Sequence, residues 1–170
     1  MHIVCSGGGP AGLYAALLLK QQHPNDCIEV FEQKPPNGSL GAGLILPEGL
    51  RDTLRVADAP TAEAIEQALI GWDTIAIQRG THHNRSGGHR LSGIARQQLI
   101  EIFTHRCHQL GVILHMGQLA ENSHTQECDL MIAAEGIHSP LRQQYAAVFQ
   151  PRIQESQCLY LWLITSHVEK

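Results

Sequence analysis

The chain has 170 residues, 43% hydrophobic and 16% charged, enough for one folded domain with a real core and too apolar for a disordered one. Its 12 Lys and Arg against 16 Asp and Glu give a net charge of −4 with no basic run, which leaves nucleic-acid binding without electrostatic support. No apolar run reaches membrane-spanning length, and Met1-His2 leads into a strand without the basic flank of a secretory signal, so the expected location is the cytoplasm.

Met1-His2-Ile3-Val4-Cys5 reads as a strand, Ser6 to Gly12 as a glycine turn, and Leu13 to Leu19 as a helix that Pro24 ends. Cys27-Ile28-Glu29-Val30-Phe31 reads as a second strand, closed by Glu32. In Gly7-x-Gly9-x-x-Gly12 each glycine has a task. Gly7 allows the tight turn, Gly9 lets backbone approach a pyrophosphate, and Gly12 lets the helix pack close on the strand. Pro10 and Ala11 open the helix, and the missing N–H of Pro10 would have had no intrahelical partner there. The helix start offers free N–H groups and a positive dipole end to phosphates.

Such a pattern alone also describes a turn with no ligand. Here a strand precedes it, a helix follows it, and the acidic Glu32 stands about 20 positions on. A carboxylate there accepts hydrogen bonds from a ribose 2′-hydroxyl and repels a 2′-phosphate, favouring FAD or NAD over NADP. The motif does not separate FAD from NAD.

Gln33 to Ser39 reads as a loop, and Leu40-Gly41-Ala42-Gly43-Leu44-Ile45-Leu46-Pro47 carries two glycines able to bring backbone close to a flat ligand. Leu50 to Val56 and Thr61 to Leu69 read as helices separated by Asp58-Ala59-Pro60. Trp72 to Gln78 reads as a strand, with Thr81 to Arg85 its hairpin partner and Ser86-Gly87-Gly88-His89 a turn. A long helix is expected from Ala95 to Leu110, stopped by Gly111, then strands at Val112 to Met116 and Cys128 to Ala133. Glu135-Gly136 and a short helix from Pro140 to Tyr145 follow, and Cys158 to Thr165 reads as a last strand. The alternation predicts an α/β, Rossmann-like FAD/NAD(P)-binding fold, its sheet mainly parallel with an inserted antiparallel hairpin.

Five cysteines without a CxxC pair read as reduced thiols. Among eleven histidines, His82-His83 with His89 and His105 with His108 are the metal candidates. The first group lies in a polar stretch and the second lacks a carboxylate or thiolate at ligand spacing, so no metal site is expected.

Taken together these motifs resemble the FAD-dependent aromatic monooxygenases, or aromatic hydroxylases, over almost the whole chain. Gly7 to Gly12 with Glu32 looks like their ADP-binding fingerprint, and Gly41-Ala42-Gly43-Leu44 through Leu50-Arg51 like their glycine-bearing segment beside the flavin. Arg96-Gln97-Gln98-Leu99 matches their helix-opening arginine, which helps bind FAD. Asp129 to Arg142 resembles their second fingerprint, with Glu135-Gly136 where Asp-Gly is usual. Ser86-Gly87-Gly88-His89 to Arg96, and Tyr145 to Phe149 with Leu161-Trp162-Leu163, look like the branch containing salicylyl-CoA 5-hydroxylase and 2-aminobenzoyl-CoA monooxygenase.

The resemblance implies a cofactor site of Gly7, Gly9, Pro10, Ala11, Gly12, Glu32, Gln33, Gly41, Ala42, Gly43, Arg96, Glu135 and Gly136. It implies FAD as cofactor, NAD(P)H as cosubstrate, and a small aromatic substrate, in the form of an aryl-CoA thioester for this branch. No catalytic acid or base is assigned, because the cofactor supplies the reactive species. Residues 1–150 would form the FAD-binding domain and residues 151–170 the first strand of a substrate-binding domain. Members of this family continue through a third, Gly-Asp fingerprint with no equivalent here, so the expectation is an amino-terminal portion whose partner is a carboxy-terminal portion or a second copy. Two other readings compete. A small NAD-dependent oxidoreductase lacks support from a Tyr-x-x-x-Lys dyad, and a non-catalytic nucleotide-binding remnant predicts binding without turnover.

Overall fold

The computed structural model describes residues 1–35, 42–120 and 127–158. The chain opens with β1 (His2–Ser6), α1 (Pro10–Gln22) and β2 (Cys27–Glu32). Next come β3 (Gly43–Ile45), α2 (Glu48–Ala57), α3 (Ala59–Ala68), β4 (Ile70–Trp72), β5 (Ile75–Arg79), β6 (His82–Ser86) and β7 (Leu91–Ala95). The long α4 (Arg96–Leu110) precedes β8 (Ile113–Met116) and β9 (Leu130–Ala133), a 3-10 turn at Gly136–His138, and the short helices α5 (Pro140–Gln144) and α6 (Ala146–Phe149). The chain divides into two compact units, Met1–Ala42 with Phe103–Lys170, and Gly43–Ile102.

The first unit holds a four-stranded sheet in the order β8-β2-β1-β9, every pair parallel. As the inner strand between β2 and β9, β1 buries both faces, and Ile3, Val4 and Cys5 are all at most 2% exposed. That is why its sequence is a continuous apolar run rather than an alternating one. Helix α1 makes the crossover and sinks Leu13, Ala16 and Leu17 completely. Each such leucine contributes about 1.5–3 kcal/mol by leaving water. The register sets Ser6 beside Phe31 on one flank and Ala133 on the other, so the carboxyl ends of three strands finish together.

The second unit pairs β7 with β3 and β4 in an antiparallel sheet, with α2 and α3 alongside in sequence and a separate β5–β6 hairpin. The predicted α/β fold with a parallel sheet and an inserted hairpin is the one observed. The three-stranded antiparallel sheet adds to it. The strand expected over Trp72 to Gln78 is two strands, broken where the exposed Asp73 carboxylate accepts the Gly88 and Arg90 N–H groups. Helix α3 begins at Ala59, two residues before the expected Thr61, with Pro60 in its first turn and buried Asp58 bonded to the Thr61 hydroxyl. The strand read over Cys158 to Thr165 lies, beyond Cys158 itself, outside the described residues.

All five cysteines are free thiols. Burial pushes Cys5 up to about 11 and Cys107 up to about 12, and the Cys107 thiol donates to the Leu13 carbonyl. Exposed Cys27 and Cys158 should therefore take a maleimide label in the folded chain, whereas Cys5 and Cys107 should react only on unfolding. Fast native labelling of Cys5, read by peptide mass mapping, would contradict the central position of β1.

Candidate dinucleotide-binding site

The turn after β1 is built by steric exclusion. Gly7 adopts φ +109°, open to glycine but not to ordinary side chains, and its N–H donates to the Phe31 carbonyl at 2.8 Å. A Cβ on Gly7 would stand 2.4 Å from the Ala134 oxygen, and one on Gly12 would stand 1.9 Å from the Gly7 oxygen. The turn and the helix start are thus packed against β2 and the chain after β9. Gly9 caps α1, its carbonyl accepting from the Leu13 N–H at 3.1 Å, and Pro10 follows as the first helical residue. Ala11 is exposed and Gly12 buried.

Gly8 was not singled out in the sequence, where it occupies the variable place of the motif. A Cβ there would lie 2.6 Å from Glu32 Cβ, and its N–H donates to Glu32 Oε2 at 2.8 Å. Glu32 Oε1 accepts the Lys34 N–H at 2.9 Å. The half-buried carboxylate therefore stands at the end of β2 against the glycine turn, held by two backbone donors. A carboxylate offers about four acceptor directions, so room remains for sugar hydroxyls. Gln33 follows it, exposed.

Glu135 is engaged by the protein itself. Its carboxylate accepts from the Ser6 hydroxyl at 2.7 Å, the Ser139 hydroxyl, and the Leu141 N–H at 3.2 Å. It ties the end of β1 to the segment that leads into α5. Gly136 beside it is exposed at φ +82°, and Arg142 donates through its guanidinium to the Gly136 and Ile137 carbonyls. The first unit thus gathers Gly7, Gly9, Pro10, Ala11, Gly12, Glu32 and Glu135 at the carboxyl edge of its parallel sheet, where ligands of open α/β sheets bind.

Gly41 lies outside the described residues, and Ala42 is half-buried. In the second unit Gly43 pairs with Ala95, the residue before Arg96, and a Cβ on Gly43 would stand 2.8 Å from the Ile94 oxygen. Arg96 opens α4 half-buried, with no hydrogen bond or ion pair to any of the described residues. This unit also contains a cleft of about 470 Å³ lined in part by Arg51, Trp72, Asp73 and Arg90. Arg51 meets Glu66 at 3.3 Å, while its Nε is buried without a described partner. The cleft sets two guanidinium groups and the carboxylates of Glu48 and Asp73 around an indole, so its charge is mixed. The sequence marked Arg51 only as part of the glycine-bearing segment.

No protein-family model matches the chain. The salicyloyl-CoA 5-hydroxylase of a Streptomyces species is 27% identical over 99% of this chain, equal to 33% of that protein. The 3-hydroxy-4-methyl-anthranilyl-(aryl-carrier protein) 5-monooxygenase of Streptosporangium sibiricum is 29% identical over 96% of this chain and 46% of that protein. The crystal structure of the flavin-dependent monooxygenase PieE with FAD and substrate matches at TM-score 0.67 and 16% identity, over 86% of this chain and 32% of that one. The chain therefore has the fold of FAD-binding monooxygenases and resembles the aromatic hydroxylases in sequence, over between a third and a half of the length of these curated relatives.

Two outcomes follow from the geometry. Gly12→Ala meets backbone, not a movable side chain, and should cost at least ~3 kcal/mol in urea unfolding, the upper end of ordinary overpacking. A loss below about 1 kcal/mol would show that the turn has slack. The Gly88 and Arg90 N–H groups hold the Asp73 carboxyl below the usual carboxylate range. Its lowered value means that its contribution is complete above the ordinary Asp range and is lost as pH falls through the lowered one. In an NMR titration the Gly88 and Arg90 amides should therefore move together, with a midpoint below that of a free Asp.

Proposed function

We propose that this chain is the FAD-binding part of a flavin-dependent monooxygenase that hydroxylates an aromatic acyl group carried as a thioester. The observation that carries this reading is the Glu32 carboxylate set against the glycine turn by the Gly8 and Lys34 N–H groups. The two relatives support the substrate class, since their names give aromatic acyl groups joined to CoA and to an aryl-carrier protein.

In this reading Gly7, Gly9 and Gly12 leave the space a diphosphate needs, and the N–H groups after Pro10 point at it. Glu32 accepts from the ribose hydroxyls and Gln33 lies on the adenine side. Glu135 keeps the turn's floor rigid through Ser6 and Ser139, and Gly136 leaves room above it. Gly41, Ala42 and Gly43 border the flavin ring, and Arg96, which pairs with none of the described residues, supplies a guanidinium for the cofactor. Bound FAD would take two electrons from NAD(P)H and pass one oxygen atom of O2 to the ring, the other leaving as water. The chain's residues need only bind, orient and exclude water, so none is assigned as acid or base. Residues 1–150 act as the FAD-binding domain and 151–170 belong to the substrate-binding domain of a cytoplasmic enzyme.

Calorimetric titration with FAD tests this. The folded chain should bind one FAD, and Glu32→Ala should weaken it about 10- to 100-fold, the worth of one charge-assisted hydrogen bond. Arg96→Ala should shift the flavin absorbance spectrum of the complex. Preference for NADH over FAD would favour the small oxidoreductase instead. No nucleotide uptake by folded protein would overturn the proposal.

A further inference from the structure

At the opposite edge of the parallel sheet, the strand starts bring together side chains that are far apart in sequence. Register places His2 directly beside Cys27, and Glu29 follows two residues later on the same face of β2. One ligand atom from each of His2, Cys27 and Glu29 lies within 4.8 Å of the others. His2 Nε2 is 2.8 Å from Glu29 Oε1, and His115 Nε2 reaches Glu29 Oε2 from β8, its ring stacked on Phe31.

The geometry points to a divalent transition-metal site, of the zinc type, formed by His2 Nε2, Cys27 Sγ and Glu29 Oε1. A ladder of hydrogen bonds from His2 and His115 to Glu29 accounts for the carboxylate but gives the thiol no part. Both ring nitrogens of His2 face acceptors, Nε2 towards Glu29 and Nδ1 towards the Glu127 carbonyl at 3.4 Å. An imidazolium donates to both, whereas a neutral imidazole has one proton and serves only one of them, leaving Nε2 a lone pair for an ion when Nδ1 carries the proton. An ion at Nε2 satisfies the same geometry, with Nδ1–H turned to the Glu127 carbonyl as in many histidine ligands. His115 holds the other oxygen of Glu29 in the same outer role.

Charge and distance fit. One thiolate and one carboxylate offset a 2+ ion, with neutral imidazole as third ligand and water as fourth. Ligand bonds of about 2.0–2.3 Å at tetrahedral angles separate nitrogen and oxygen ligands by about 3.3 Å. The His2–Glu29 contact has to open by roughly 0.5 Å to reach that spacing, while the thiol swings in. On binding, the Cys27 thiol proton passes to solvent, the single proton of the His2 imidazole stands on Nδ1, and three coordinate bonds form, to Sγ, Nε2 and Oε1.

The site lies a strand's length from the glycine turn, about 15 Å for the five residues of β1. It would staple β1 to β2 rather than take part in redox chemistry. Neither histidine group considered from the sequence contributes, because the pairing that builds this one spans 25 positions between His2 and Cys27.

The test uses the whole metal-free chain, titrated with Zn²⁺ by calorimetry and with Co²⁺ by absorbance. One ion per chain should bind, the cobalt form should show a near-ultraviolet thiolate charge-transfer band, and zinc should raise the thermal midpoint. Exposed Cys27→Ser should keep the fold by circular dichroism, abolish that band and weaken zinc at least about 10-fold. Glu29→Gln should weaken zinc by a similar factor, and Cys158→Ser should change nothing. A band that survives Cys27→Ser, zinc affinity unchanged by it, or no binding by millimolar zinc would overturn the site.

Discussion

Glu32 is the point at which the architecture and the candidate site meet. Its carboxylate accepts two backbone N–H groups, one from the turn after β1 and one from the chain leaving β2. Hydrogen bonds to a charged acceptor contribute about 1.5–3 kcal/mol each, so this clasp fixes the turn more firmly than loop sequence alone would. It depends in turn on the parallel register that ends β1 and β2 side by side, with the Gly7 N–H on the Phe31 carbonyl. Remove that register and the carboxylate has nothing to hold.

A second clasp faces it across β1. Glu135 collects two hydroxyls and an N–H, including the hydroxyl of Ser6, the last residue of β1. The two glutamates thus brace the same turn from β2 and from the chain after β9, but differently. Glu32 keeps acceptor capacity for a ligand, whereas Glu135 spends its oxygens on the protein. The length of the Glu135 side chain lets one carboxylate reach both Ser6 and Ser139.

Much of this was legible beforehand because local rules and tertiary demands agree. The buried run Ile3-Val4-Cys5, the glycines and the early proline all favour strand, turn and helix in that order, and the structure has them so. The antiparallel sheet of the second unit was not legible. Its strands β3 and β4 span three residues each, too short for periodicity, and β7 contains Gly93, which leaves space for the Trp72 ring. The break at Asp73 was hidden for a similar reason, since its backbone partners lie 15 and 17 residues on. The same holds for the His2, Cys27 and Glu29 cluster. Sequence spacing identifies ligands on one helix or loop, but not those that strand pairing brings together.

In the proposed function the turn from Gly7 to Gly12, braced by Glu32, receives an adenine-linked diphosphate. Amide chemical shifts recorded during addition of FAD to the isotope-labelled chain test it residue by residue. The largest saturable shifts are expected at Gly7, Gly8, Gly9, Ala11 and Gly12, with Glu32 and Gln33 following. Saturable shifts confined to other parts of the chain, with these amides unmoved, would contradict it.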